Sequence, residues 1–88
     1  MGKSLGDIWF VYIVKCSDNS LYTGITNNID KRIEKHNNGT GAKYCRGRGP
    51  VTLQCFKIVF SRSEALKLEF KVKKKNKNQK VEFLINYS

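Results

Sequence analysis

The chain has 88 residues, 40 % of them apolar, including five Phe, four Tyr and one Trp. That length allows one core and leaves no room for a second, while the apolar and aromatic content supports a compact domain rather than disorder. Seventeen Lys and Arg against seven Asp and Glu give a formal charge of +10, a self-repelling field that selects a polyanionic partner over a neutral or basic one.

In chain order, Trp9 to Lys15 is apolar and rich in β-branched and aromatic residues, which predicts a strand buried on both faces. The polar turn Ser17-Asp18-Asn19-Ser20 follows, and Leu21 to Thr26 reads as the antiparallel partner. Asn27 or Asn28 is placed to cap a helix that runs to about Asn38, where Gly39 stops it. The segment Gly39 to Pro50, with four glycines, a proline and three cations, reads as a loop. Val51 to Phe60 is the third predicted strand. Ser61 and Glu64 have capping-box spacing for a helix over Arg62 to about Lys75, and Gln79 to Asn86 reads as a short closing helix. The predicted order is β-β-α-β-α-α, a small α+β domain spanning residues 1–88 in which helices cover a three-stranded sheet.

Cys16, Cys45 and Cys55 are odd in number and lack Cys-x-x-Cys spacing, so neither a disulfide framework nor a zinc site is indicated. The apolar run Ile8 to Val14 is too short to cross a bilayer. Both observations fit a cytoplasmic protein away from membranes, and a monomer is expected.

Several polar residues sit on apolar stripes. Ile29, Arg32, Ile33 and His36 share one helical face, and Ala65, Leu68, Glu69 and Val72 share another. Two helices packed on one sheet would bring Arg32, His36 and Glu69 toward a common rim. The blander alternatives are an Arg32–Glu69 structural ion pair, an i,i+4 pair of Glu69 with Lys73, and a hydrogen-bonded histidine at the core edge. Tyr12 and Tyr22, taken singly, read first as core aromatics with a polar tip and second as site residues. Gly24, inside a strand, marks a place of close backbone approach, read as room for a ligand. Tyr12 and Tyr22 share a face only if paired residue numbers sum to an even value, which needs an odd-length loop such as Asp18-Asn19-Ser20. Lys43, Arg46 and Arg48 in the glycine-rich loop, and Lys71, Lys73, Lys74, Lys75, Lys77 and Lys80 in the basic run, are candidates for phosphate contacts.

Taken together, Tyr12, Tyr22-x-Gly24, Arg32, His36 and Glu69 resemble the GIY-YIG nuclease superfamily, in particular its small single-domain bacterial branch, the YhbQ-like proteins. The strings Tyr22-Thr23-Gly24-Ile25-Thr26, Gly39-Thr40-Gly41-Ala42-Lys43-Tyr44 and Arg62-Ser63-x-Ala65-Leu66-x-x-Glu69 extend the resemblance over nearly the whole chain. Phe10-Val11-Tyr12 stands where the family has Gly-Ile-Tyr, and Thr23 where it has isoleucine.

The resemblance implies a metal-dependent endonuclease that hydrolyses phosphodiester bonds in DNA, placed ahead of RNA as substrate. It also implies the roles. Glu69 holds a single Mg²⁺ or Mn²⁺, and Arg32 neutralises charge on the phosphoryl oxygens. Tyr12 or Tyr22 activates the attacking water, and His36 assists proton transfer. The rival expectation is a non-catalytic nucleic-acid-binding module on the same fold.

Overall fold

The computed structural model describes residues 8–87. It contains β1 (Trp9–Lys15), β2 (Leu21–Thr26), α1 (Ile29–Asn37), a 3-10 turn (Lys43–Cys45), β3 (Thr52–Val59), α2 (Arg62–Lys73) and α3 (Lys77–Asn86). The β-β-α-β-α-α order and the α+β class are those read from the sequence. Strand order is β2-β1-β3, all antiparallel, so β1 is central and its residues Val11 to Val14 are buried on both faces.

The hairpin places Tyr12 opposite Gly24 and Val14 opposite Tyr22, an even sum that puts both tyrosines on one face. The loop is odd in length, as that register requires, but lies one residue earlier than the example given above. The Cys16 amide donates to the Ser20 carbonyl at 2.8 Å, which leaves Ser17-Asp18-Asn19 as the turn. Asn19 takes the left-handed conformation this closure needs, with φ 69°.

Helix ends follow local chemistry. Asn28 caps α1 by accepting the Lys31 amide at 3.1 Å. At the other end Gly39 adopts φ +85°, and the Thr40 amide closes back onto the Lys35 carbonyl at 3.0 Å, a Schellman stop. Ser61 caps α2 through the Glu64 amide at 3.0 Å, while Glu64 returns to the Phe60 amide rather than to Ser61. Helix α2 stops at Lys73, and α3 begins at Lys77, two residues earlier than expected. The Lys80 ammonium explains the junction, because it donates to the Val72 and Lys73 carbonyls at 3.1 and 3.2 Å. A cation there satisfies orphan acceptors and meets the negative end of the α2 dipole.

The two faces of the sheet have separate cores. On one, Val11 and Ile13 pack with Ala65, Leu68 and Val72 of α2 and Leu84 of α3. On the other, Tyr12, Val14, Cys16, Cys45 and Val51 are buried, with Ile29 and Ile33 of α1 packed against them. Burial pushes the Cys45 thiol up to about 11, so it stays protonated and serves packing. Helices α1 and α2 therefore lie on opposite faces. The common rim expected of the two helices can therefore lie only around the β2 edge. No helix among the described residues is long and apolar enough to cross a membrane.

Candidate active site

Four of the five expected side chains come together on the α1 face. The Tyr12 Oη lies 2.8 Å from His36 Nε2, and Arg32 Nε donates to the same phenolic oxygen over 3.4 Å. The Tyr22 ring packs edge-to-face on His36, with centroids 5.5 Å apart, and tilts against Tyr12 at 6.3 Å. Spacing within α1 explains the pairing. Arg32 and His36 are one turn apart on the stripe that also carries Ile29 and Ile33, so packing the isoleucines delivers both polar groups to Tyr12.

The histidine tautomer follows from its neighbours. The Ala42 amide donates to His36 Nδ1 at 3.3 Å, so Nδ1 is an acceptor and the ring proton resides on Nε2. His36 therefore donates to Tyr12, and the phenolic oxygen accepts from both imidazole and guanidinium. Burial, and then the Arg32 charge, push the His36 pKa below its ordinary value, which keeps the ring neutral at pH 7. Burial also pushes Tyr12 up to about 12, with the Arg32 hydrogen bond opposing it. The Tyr12 oxygen, as an acceptor, raises the Arg32 guanidinium in return, and Tyr22 contributes in the same direction.

Gly24 has a reason other than the one expected. A Cβ there would sit 2.6 Å from Tyr12 Oη and 2.8 Å from its Cζ, so the space is filled by the phenol and not left for a ligand. Gly41 has a matching role. A side chain there would collide with His36 Nδ1 and the His36 backbone, so only glycine lets the loop bring the Ala42 amide to the imidazole.

Glu69 stands apart. Its side chain is 18 % exposed and pairs with Lys73 at 3.2 Å, not with Arg32, so the i,i+4 alternative is the pair present. Lys73 in turn reaches to 5.8 Å from the Tyr22 ring centroid, which ties α2 to the tyrosine cluster at the β2 edge. Among the described residues no three His, Cys, Asp or Glu side chains form a metal-holding group, and Glu69 is the one carboxylate among the expected site residues. One carboxylate in a half-buried position suits a hard, largely hydrated divalent ion; it does not suit a thiolate- or imidazole-loving one.

The basic loop is less free than its composition implies. Arg48 pairs with Asp18 at 3.2 Å, donates to the Tyr44 carbonyl at 2.9 Å and stacks on the Tyr44 ring at 4.4 Å. Tyr44 in turn stacks on Tyr22 with centroids 5.8 Å apart. Arg48 is thus a latch between loop and hairpin, aided by Asn37 Oδ1, which accepts the Val51 amide at 2.6 Å. Lys43 and Arg46 remain exposed. The lysine run divides as well. Lys71 donates to Tyr87, Lys74 and Lys75 lie over Phe70 and Phe83, and Lys77 is exposed at the start of α3. Gly41, Ala42 and Tyr44 drew no role from the sequence; the Gly39–Tyr44 string of the resemblance was their only signal.

The element order and the cluster of strand tyrosines with a helical arginine and histidine agree with the GIY-YIG resemblance read from the sequence. Residues 8–82 match the GIY-YIG catalytic domain family. The chain belongs to that family, whose members are in general endonucleases using a divalent metal on nucleic acid. It is 53 % identical over 79 residues to the UPF0213 protein CPE1444 of Clostridium perfringens, covering 90 % of this chain and 85 % of that one. It is 48 % identical over 75 residues to the UPF0213 protein SH2523 of Staphylococcus haemolyticus, covering 85 % and 92 %. Two solution NMR structures are similar. The UPF0213 protein BH0048 of Bacillus halodurans has 41 % identity and TM-score 0.56, and protein EF2693 of E. faecalis has 36 % and 0.63; each comparison covers 91 % of this chain and 85 % of the other.

Proposed function

We propose that this chain is a metal-dependent endonuclease that hydrolyses phosphodiester bonds in DNA, working through Tyr12, Tyr22, Arg32, His36 and Glu69. The observation that carries the reading is the direct convergence of Tyr12, Arg32 and His36 on one phenolic oxygen, beside Tyr22. A purely structural tyrosine needs one partner for its hydroxyl; three polar side chains spent at one point suit a site.

Burial divides the two tyrosines. Tyr12 is 0 % exposed and meets no solvent, whereas Tyr22 is half-buried at the edge strand. Tyr22 is therefore the phenol that orients the attacking water and, as the phenolate, accepts its proton, and Tyr12 is a positioning residue. His36 and Arg32 hold Tyr12 in place, and the remaining guanidinium donors of Arg32 face charge developing on the phosphoryl oxygens. Glu69 would hold Mg²⁺ or Mn²⁺, which when bound supplies polarisation of the phosphate and stabilisation of the departing alkoxide. Lys73, paired with Glu69 and near Tyr22, belongs to this neighbourhood.

The full chain incubated with supercoiled plasmid should convert it to nicked and linear forms with Mg²⁺ or Mn²⁺, and EDTA should stop the conversion. Loss of cutting with both ions, over plasmid, single-stranded and branched substrates, would sink the nuclease reading. The full burial of Tyr12 favours the second reading, a nucleic-acid-binding module without chemistry, and the same experiment decides between them.

A further inference from the structure

The sheet face that carries the tyrosines continues beyond them. Phe56 of β3 stands directly opposite Tyr12, and Ile58 stands opposite Phe10, so Phe10, Tyr12, Phe56 and Ile58 share one face. Ile29 and Ile33 of α1 pack with the cluster of Tyr12, Val14, Tyr22 and Leu53, which includes neither Phe56 nor Ile58. On the β3 half Phe56 and Ile58 are each 46 % exposed. The Phe10 and Phe56 rings meet edge-to-face with centroids 5.6 Å apart, so their orientation is fixed before anything binds. A chain this short has few large apolar side chains to spare from its core, so a contiguous exposed set signals a partner.

What borders the patch identifies the occupant. Phe10 pairs across β2 with Thr26, and Thr26 lines a cleft of about 160 Å³ with Asn27, Asn28, Lys31, Arg32 and Lys35. That cleft holds three cations and no carboxylate, and it shares Arg32 with the tyrosine cluster. Cations beside aromatic faces match a strand whose phosphates lie in the cleft and whose bases lie on the rings. A second copy of this chain is disfavoured by the +10 charge that each copy carries. Continuous duplex offers its phosphates but keeps its base faces stacked inside.

Resting on the nuclease reading, we propose that Phe10, Phe56 and Ile58 form a base-stacking platform and the Thr26–Lys35 cleft its phosphate track, so that the substrate strand is unpaired beside the scissile bond: single-stranded DNA or a single-stranded flap, in preference to continuous duplex. Phe10, standing where the family motif has glycine, becomes a specificity residue of this chain.

The test is fluorescence anisotropy of the full chain in EDTA, with a labelled 15-nucleotide single strand and the same sequence as duplex. The single strand should bind more tightly. Phe56→Ala and Ile58→Thr should each weaken it by about tenfold, the scale of one lost stacking contact, and leave duplex affinity unchanged. Phe70→Ala removes a ring that is 61 % exposed on α2 and should change neither affinity. Thermal melts establish that each variant is folded. Equal affinity for both substrates, or Phe56→Ala binding the single strand as well as the parent, overturns the platform. So does a concentration-dependent dimer in light scattering that Phe56→Ala abolishes, because a second copy then occupies the face. The two readings fail separately: a single-strand preference without cleavage defeats the nuclease alone, whereas cleavage of duplex and single strand at equal rates defeats the platform alone.

Discussion

The two faces of one sheet differ in what they bury. Behind β1, Val11, Ile13, Ala65, Leu68, Val72 and Leu84 form a wholly aliphatic core closed by α2 and α3. In front, Tyr12 and His36 are almost as deeply buried, yet they form a polar network with Arg32 and the Ala42 amide. The aliphatic face provides stability without direction, because dispersion and the hydrophobic effect tolerate any well-filled arrangement. The polar face is directional: each buried donor and acceptor requires its partner at hydrogen-bond distance, and desolvation makes errors costly. One face holds the fold and the other carries the proposed site, with β1 contributing alternate side chains to both.

That division can be broken from either side. The largest effect is expected behind the sheet. Leu68→Ala should remove about 2–5 kcal/mol of unfolding free energy in a urea titration, while cleavage per folded molecule stays near the parent's. At the proposed site, Arg32→Ala on α1 and Glu69→Gln on α2 should do the reverse. Each should slow metal-dependent cleavage by at least about a hundredfold, roughly 2.7 kcal/mol of transition-state stabilisation, with a much smaller shift in the urea midpoint.

Gly24→Ala sharpens the comparison, because it acts on the polar face through packing alone. The added methyl forces the Tyr12 ring to move, and should cost about 1–3 kcal/mol of stability together with most of the activity. If Gly24→Ala retains full activity, the position of the Tyr12 phenol is not what the site depends on.

The smallest effect is a pH dependence carried by His36. Its folded pKa is lowered by burial and by Arg32, so the unfolded chain binds the proton more readily. Stability from the neutral ring is complete above its ordinary pKa of about 6.5 and is lost as pH falls from there toward the lowered folded value. Thermal melts should show this decline, and His36→Gln should flatten it within that window. An unchanged profile in the variant would remove His36 as its source.

Much of this was legible without coordinates. The capping signals at Asn28 and Ser61, the Gly39 stop and the β-branched run of β1 are local preferences, set by neighbours in the chain. The helical spacing that singled out Arg32 and His36 is also local, and the two do share a face against Tyr12. The Lys77 start of α3 was missed because Lys80 stabilises the junction by reaching carbonyls of the preceding helix. Arg48 was read as a free phosphate contact because its partner Asp18 lies 30 residues away. No local pattern announces either contact.

Sequence by itself determined the element order, the single carboxylate among the candidate site residues and the strongly basic surface, because helix periodicity, capping and net charge depend on residue type and spacing. Only the tertiary structure decided which sides those residues take. It put α1 and α2 on opposite faces, paired Glu69 with Lys73 and not Arg32, filled the space at Gly24 with the Tyr12 ring and left Phe56 and Ile58 uncovered. Those outcomes depend on strand register and on the packing of residues far apart in the chain, where a one-residue shift would exchange the two faces of a strand.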